Sequence, residues 1–409
     1  MVTACYKPVV NGVTRMIDLY REALTAAGHE VTIFTLGAPN RKGAPEEAGV
    51  IHSPGVPLGD SGYYFTLGYS HAAQQALAEM EILHCHHLFM SVEMAHRYGN
   101  CPIVYTNHTR YDLYTGAYTP LPQPAADAIM RQIWPGFTDY CDVVITPSQR
   151  VREVMRNFGV RRPITVIPNG IEVEQFQNPS APCGKRDLGL PDDAPLLIYV
   201  GRLAEEKNLH HLLSQFALAQ ELRSDLRLLI VGSGPQEATL REQARVLQIE
   251  AAIQFAGAVA PEEVPNLLAA GDVFVTASVS EVHPLSIVEA MAARLPVVAV
   301  RSPGIEETVD HGKSGLLVSR PEGLAAAMVA LLAQPERRAA MGAWAREASA
   351  RYDIGETAAR TVHLYEELRE TRPDLKRKRE HGRWLRRGRA ELPDFPLVEQ
   401  LSRLLPVDE

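Results

Sequence analysis

Ser280-Glu281-Val282-His283-Pro284-Leu285-Ser286-Ile287-Val288-Glu289-Ala290-Met291 is the run on which the reading of this chain turns. A short β-type run, Asp272-Val273-Phe274-Val275-Thr276-Ala277, leads into it, and a helix-type run over 285–293 leads out. Pro284 falls where a first helical residue is expected, because the N–H that proline lacks has no intrahelical partner there anyway. The open amides of the first turn then point out of the sheet at the end where open α/β folds bind ligands, and such an end attracts phosphate. Glu281 precedes the helix and Glu289 lies on its second turn. Two carboxylates can flank one phosphorylated ligand and accept hydrogen bonds from its hydroxyls. The same residues also suit a buried strand–helix corner with two solvated glutamates, and this run alone does not choose.

The flanking sequence alternates in the same way. Residues 196–200 read as a buried strand ending in Gly201-Arg202-Leu203-Ala204-Glu205-Glu206-Lys207-Asn208, with a helix from Leu209. Strands are expected at 226–231, 253–255, 296–300 and 316–318, and helices at 236–246, 262–270, 321–333 and 336–351. Pro303-Gly304 and Gly312-Lys313-Ser314-Gly315 read as turns. In the first half, 1–5 reads as the end of a short strand, and Asn11-Gly12 as a loop. A helix over 15–27 follows, which Thr14 caps and Gly28 ends. Strands are expected at 31–35, 82–85, 103–106, 143–146 and 164–167, with helices over 71–80 and 149–158 and irregular chain from 37 to 70. Residues 172–195, polar and punctuated by Pro, read as a linker. Two α/β halves with parallel sheets follow from this rhythm, and the cleft between them is the natural ligand site.

The totals limit the function. The 409 residues, 46% apolar and 22% charged, describe an ordinary globular protein of two or three domains. A net charge of −8 argues against nucleic acid as a partner. Five scattered cysteines without CxxC spacing suggest reduced thiols and no zinc site. No apolar run reaches the roughly 18 residues of a membrane span, and the first residues lack a secretory pattern. The expected location is therefore the cytoplasm, with peripheral attachment to the inner membrane face left open. Arg150, Arg152, Arg156, Arg161 and Arg162 surround one helix, as a solvated face or one that rests on anionic lipid.

Arg202 and Lys207 stand just beyond a strand's carboxyl end. Two fixed cations there can neutralise a leaving diphosphate, a task a Mg²⁺ ion would otherwise perform, and no Asp-x-Asp is present to hold such an ion. The plain alternative is a solvated basic loop. Gly12 would allow a ligand close to the backbone or simply serve a tight turn. His108 follows the 103–106 strand, a suitable place for a site. His84, His86 and His87 cluster near another strand end, but without matched carboxylate or Cys spacing no metal is expected. Gly232-Ser233-Gly234 lacks the third glycine of a dinucleotide fingerprint, and Gly312-Lys313-Ser314 lacks the upstream glycine of a P-loop.

These residues carry a resemblance. Asn11-Gly12-Val13, Ala27-Gly28-His29-Glu30-Val31, Asn107-His108-Thr109, Ile167-Pro168-Asn169-Gly170-Ile171, Gly201-Arg202 with Lys207-Asn208, Val231-Gly232 with Gly234-Pro235, and Ser280-Glu281 through Glu289-Ala290 occur together and in order. The sequence resembles the retaining, nucleotide-sugar-dependent glycosyltransferases of family four, which have the two-Rossmann GT-B fold. The resemblance implies an acceptor-side lobe over 1–180, a nucleotide-sugar lobe over 181–350, and a helix over about 352–370 crossing back onto the first. Arg202 and Lys207 would grip the donor diphosphate, supported by the amides of His283, Pro284, Leu285 and Ser286 at the helix start (Pro284 itself has none to give). Glu289 would bind the ribose, Glu281 the sugar hydroxyls, Gly12 would close on the phosphate, and His108 would contact the sugar near the reacting carbon. No metal or other cofactor is implied. Asn11 stands where the family often has glycine, Val282-His283-Pro284 where it often has Gly-Phe-Gly, and Arg294-Leu295 precedes Pro296 where it usually has Gly. Asn-Gly-Val, the run from His108 to Tyr114, and Glu-Val-His-Pro-Leu-Ser look most similar to the branch that glucosylates diacylglycerol. UDP-glucose is thus the expected donor and a membrane lipid the expected acceptor, with a soluble acceptor or GDP-mannose as the alternative. The tail, 371–409, carries Lys376-Arg377-Lys378-Arg379 and Arg386-Arg387, suited to an anionic membrane surface or to a solvated tail.

Overall fold

The computed structural model describes residues 1–9, 11–37, 47–58, 63–66, 68–113 and 122–371. The basic tail and most of the Tyr114 loop lie outside the described residues. Two parallel sheets are present. In the first, β1 (Ile33–Leu36) pairs with β2 (Val50–Ser53), and β5 (Leu83–Cys85), β6 (Ile103–Thr106), β7 (Val143–Thr146) and β8 (Ile164–Val166) pair in sequence. Val2 forms parallel bridges to both Phe34 and Cys85, so a strand cut to one residue joins the two pieces. Between them β3 (Val56–Pro57) and β4 (Tyr64–Phe65) make a small antiparallel hairpin.

The second sheet comprises β9 (Leu196–Val200), β10 (Arg227–Val231), β11 (Ile253–Gly257), β12 (Val273–Thr276), β13 (Val297–Val300) and β14 (Gly315–Val318), in the order β11-β10-β9-β12-β13-β14. Its central strands are apolar throughout because helices cover both faces. Leu197, Tyr199, Val273 and Val275 enter one core, while Leu196, Ile198 and Phe274 enter the other, as a period of two requires. In both sheets the chain reverses direction of growth at the middle, beside Val2 and between β9 and β12. Ligands in open α/β folds bind at that reversal.

The 172–195 stretch is more than a linker. It contains the helix Val173–Gln177, whose Val173 and Phe176 are buried in the second lobe's core. Residues 37 to 70, read as irregular, contain β2. Pro303-Gly304, read as a turn, opens the helix Pro303–Thr308. Two helices go unread in the sequence, Val92–Tyr98 and Gln123–Thr138. The long Ile354–Thr371 helix packs on the first lobe's opening helix, with Tyr20 Oη 3.3 Å from Thr361 Oγ1 and Ala358 in the same apolar cluster as Met16.

The lobes touch at defined points. Val282 of the second lobe is buried among core side chains of the first. Asn169 Nδ2 donates to the His283 carbonyl at 3.1 Å. Glu307 accepts the Gln149 amide at 2.7 Å and also the Arg150 amide, so a carboxylate of one lobe sits on a helix start of the other. Arg150 further pairs with Glu306 at 3.1 Å, and Arg161 and Arg162 both bond Asp139. Among the described residues no helix is long and apolar enough to cross a membrane.

Gly304 fixes this joint. A Cβ there would lie 2.2 Å from the Val282 carbonyl oxygen and 2.5 Å from that of Glu281, both backbone atoms that cannot swing away. Gly304→Ala is expected to cost about 2–3 kcal/mol and lower the melting temperature by about 4–8 °C. Calorimetry showing a drop under about 1 °C would contradict this packing.

Candidate active site

The carboxyl ends of β9 and β12, neighbours at the reversal of the second sheet, carry the two loops of interest. After β9 the chain passes Gly201-Arg202 into a 3₁₀ turn, Glu205–Lys207, and Asn208 takes a left-handed conformation before the Leu209–Leu222 helix. Gly232, ending β10, lies so close that a Cβ would sit 2.0 Å from the Gly201 carbonyl oxygen. After β12 the chain runs through Ser278 and Ser280, whose hydroxyls both donate to the Glu206 carbonyl, to Glu281.

Lys207 Nζ and Glu281 Oε1 meet at 2.7 Å, with side chains 23% and 15% exposed. Burial disfavours both charges, but each outweighs it for the other. Burial would push the Glu281 carboxyl up, yet the Lys207 ammonium and hydrogen bonds hold it below the usual carboxylate range. Likewise the Glu281 carboxylate overcomes burial and raises the Lys207 ammonium above its ordinary value. Arg202 is exposed, and its guanidinium has no ion pair or hydrogen bond among the described residues. The loop thus holds one compensated and one uncompensated cation.

The helix spans Leu285–Ala292, and Pro284 is not its first residue, where the sequence reading places it. Pro284 is the N-cap, with extended backbone, and Leu285 the first helical residue. No side chain caps this end, so the amides of Leu285 and Ser286 are open. The carboxyl of Glu289, one turn on, makes no hydrogen bond among the described residues. Burial raises its carboxyl to about 7, and Arg15 of the opposite lobe partly opposes that. His283 faces elsewhere. Its ring is buried edge-on against Tyr352 at 4.9 Å, neither ring nitrogen has a partner, and burial drives its pKa down to about 3. The His283 ring thus takes no part in the expected role of its backbone amide, and its carbonyl is held by Asn169.

The first lobe supplies the other wall. Asn11 caps the Gly12–Ala26 helix, accepting the Val13 and Thr14 amides at 2.9 and 3.0 Å, while Thr14 Oγ1 accepts the Asn11 amide. This capping box, typically worth about 1 kcal/mol, corrects the reading of Thr14 as the cap and of residue 15 as the start. Gly12 is the first helical residue, and a Cβ there would meet nothing within 4 Å. Cys5 lies alongside. Burial pushes its thiol up to about 11, against hydrogen bonds from Tyr63 and Asn11 and the field of Arg202 across the cleft.

His108 Nε2 is 3.0 Å from His86 Nδ1, with the two ring planes within 13°. Burial lowers the pKa of His84 and His86, that of His87 to about 4 and that of His108 to about 3, so this wall is neutral. Among the described residues no group of His, Cys, Asp or Glu could hold a metal ion. Arg202, Lys207, Glu281, Glu289 and the Leu285–Ser286 amides share the second lobe's reversal, while Gly12 and His108 belong to the first lobe's. Arg15 and His86 go unread as site residues in the sequence. Arg15 lies one turn beyond Gly12, which a helix starting at 12 would have revealed.

Two sequence models of known families match. One, described as Glycosyltransferase Family 4, covers residues 10–175, and the other, Glycosyl transferases group 1, covers 184–348. The alpha-monoglucosyldiacylglycerol synthase of Streptococcus pneumoniae is 29% identical over 82% of this chain and 78% of its own length. The D-inositol 3-phosphate glycosyltransferase of Kineococcus radiotolerans is 31% identical over 74% and 75%. Among solved structures, sucrose-phosphate synthase from Thermosynechococcus elongatus superposes with a TM-score of 0.74 at 23% identity, over 91% of this chain and 100% of that one. With two reversed parallel sheets facing each other and both family models matched in order, the chain belongs to glycosyltransferase family four and has the GT-B fold.

Proposed function

We propose that this protein is a retaining hexosyltransferase that moves glucose from UDP-glucose to a lipid acceptor such as diacylglycerol at the inner face of a membrane. The observation that carries the reading is the charge layout at the second sheet's reversal. Arg202 is uncompensated, Lys207 is pre-oriented by Glu281, and an uncapped helix start stands beside them. That layout suits a diphosphate leaving group without a metal ion. Glu289 would accept from the ribose hydroxyls, and Glu281 from those of the sugar. The bond from the anomeric carbon to the diphosphate oxygen breaks, and the acceptor oxygen bonds to that carbon on the same face. The acceptor's proton passes to the departing phosphate oxygen.

The lipid acceptor rests on similarity to the pneumococcal enzyme, whose name specifies a glucosyldiacylglycerol product. The 31% relative named for inositol 3-phosphate favours a soluble acceptor as the second reading. Mass spectrometry of products from UDP-glucose or GDP-mannose, offered diacylglycerol in mixed micelles or soluble sugars and inositol phosphates, decides between them. Transfer to diacylglycerol that persists in a chelator supports the first reading, and transfer confined to soluble acceptors overturns it.

Because Arg202 has no partner, Arg202→Ala should leave stability within about 0.5 kcal/mol while weakening UDP-glucose binding about tenfold or more by calorimetry. Lys207→Met should do both kinds of damage, since it also strands Glu281, and should lower kcat at least about 100-fold. Equal donor affinity in Arg202→Ala and the unaltered protein would refute the diphosphate role.

Glu289 makes binding pH-dependent. Its folded-state carboxyl titrates near 7, above the usual carboxylate range. The folded protein therefore holds an extra proton between about 4.5 and 7, and the stability this gives is lost as pH rises through 7. Ribose hydroxyls favour the ionised form, so UDP-glucose should bind more tightly from pH 6 to 8 and release up to one proton. Glu289→Gln should abolish that release. Release of equal size in Glu289→Gln would assign the titration elsewhere.

A further inference from the structure

We propose that His86 is a positioning residue that holds His108 in its Nδ1–H tautomer, so that His108 offers the bound donor sugar a hydrogen-bond donor and not a base. The proposal rests on the reading above that His108 lines the donor site. It starts from the 3.0 Å contact between His86 Nδ1 and His108 Nε2. Two neutral imidazoles that share one contact hold one proton between those two nitrogens, so one ring donates and the other accepts.

The far side of His86 decides which. Its Nε2 is buried and has no hydrogen-bond partner. If His86 accepted at Nδ1, its own proton would sit on Nε2 as a buried N–H with nothing to bond. If His86 donates from Nδ1, Nε2 carries only a lone pair. Orphaned buried N–H groups are the rarer of the two, and leaving one unmet costs its full desolvation. His86 therefore donates, His108 accepts at Nε2, and the proton of His108 lies on Nδ1. That nitrogen is neither among the buried unpartnered atoms nor bonded to another described residue, so it is the one open to a ligand.

The ring of His86 is itself held. His84 packs against it with centroids 4.2 Å apart, and both His84 nitrogens are occupied, Nδ1 by Tyr365 Oη at 2.6 Å and Nε2 by Thr106 Oγ1 at 2.5 Å. Tyr20 closes another side at 6.2 Å. Tyr365 belongs to the Ile354–Thr371 helix, so a helix far along the chain fixes the histidine stack. Burial keeps all three stacked rings neutral, which removes the doubly protonated alternative.

The test reads the tautomer directly. Full-length protein labelled with ¹⁵N-histidine gives long-range ¹⁵N–¹H correlations that separate protonated from bare ring nitrogens, with His108→Gln and His86→Asn spectra providing assignments. His108 should show a protonated Nδ1 and a bare Nε2 in the unliganded protein. His86→Asn places an amide that can still donate, so His108 should keep this pattern and kcat for UDP-glucose should stay within about threefold. His86→Asp, when ionised, can only accept, so a proton should appear on His108 Nε2 and kcat should fall about 10- to 100-fold, with the donor KM moving less. A protonated Nε2 on His108 in the unaltered protein overturns the proposal, as do Asn and Asp variants alike in spectrum and in kcat. The first readout needs no substrate. The expected tautomer in a protein inert toward UDP-glucose upholds the pairing and counts against the donor assignment alone.

Discussion

A carboxylate at the end of one central strand and an ammonium at the end of its neighbour neutralise each other across 2.7 Å, and the cleft is arranged around them. Both side chains are mostly withdrawn from water, so each would be costly alone. Their pairing fixes the β9 loop against the β12 loop and sets the direction of the Lys207 stem before any ligand arrives. An anion that binds there meets a cation already in place, which reduces the side-chain ordering that binding must impose. The pairing also leaves Arg202 as the unbalanced charge, since Glu281 is engaged by Lys207. Ser278 and Ser280, both bonded to the Glu206 carbonyl, tie the same two loops through neutral contacts and keep their spacing independent of protonation.

The same stretch joins the lobes. Two residues after Glu281, the His283 carbonyl takes a hydrogen bond from Asn169, and between them Val282 is buried in the first lobe's core. Side chains that hold the donor loop and side chains that hold the lobe spacing are thus consecutive in sequence. A shift of the 281–285 backbone moves both. Gly304, pressed against the carbonyls of Glu281 and Val282, limits that shift from below. Glu307 on the Pro303–Thr308 helix that carries Gly304 reaches the start of the Gln149–Asn157 helix, so the joint has a polar anchor as well as an apolar one.

What could be read from sequence follows from how strongly each element is buried. The central strands of the second sheet are apolar runs because helices cover both faces, and every strand of that sheet is legible. Val2 is not legible as a strand, since a single bridging residue has no period. The Gln123–Thr138 helix carries Pro135 and Gly136, which argue against a helix locally, yet Trp134 and Phe137 bury enough apolar surface to override them. Val50–Ser53 includes His52 and hides in a polar stretch. At the site, Arg202, Lys207 and Glu281 are legible because each sits just past a strand end, where topology alone brings loops together. His86 is not, because its relation to His108 depends on a contact that no spacing encodes, and Arg15 is missed along with the helix start at Gly12.

The two walls of the cleft differ in charge, and this difference bears on the chemistry. The second lobe presents Arg202, Lys207 and an open helix start. The first presents Gly12 with nothing before it and histidines that burial holds uncharged. On the function proposed above, a negative leaving group would be drawn to the second lobe, and the histidine side of the opposite wall could approach the sugar without competing for the diphosphate. Were His108 an imidazolium, it would add a cation to the first lobe's wall and weaken that separation. Its neutrality comes from burial, and the His84 and His86 rings behind it are held in place by Tyr365 and Thr106. The helix that returns to the first lobe at residue 354 thus closes the fold and holds the histidine rings behind His108 through Tyr365.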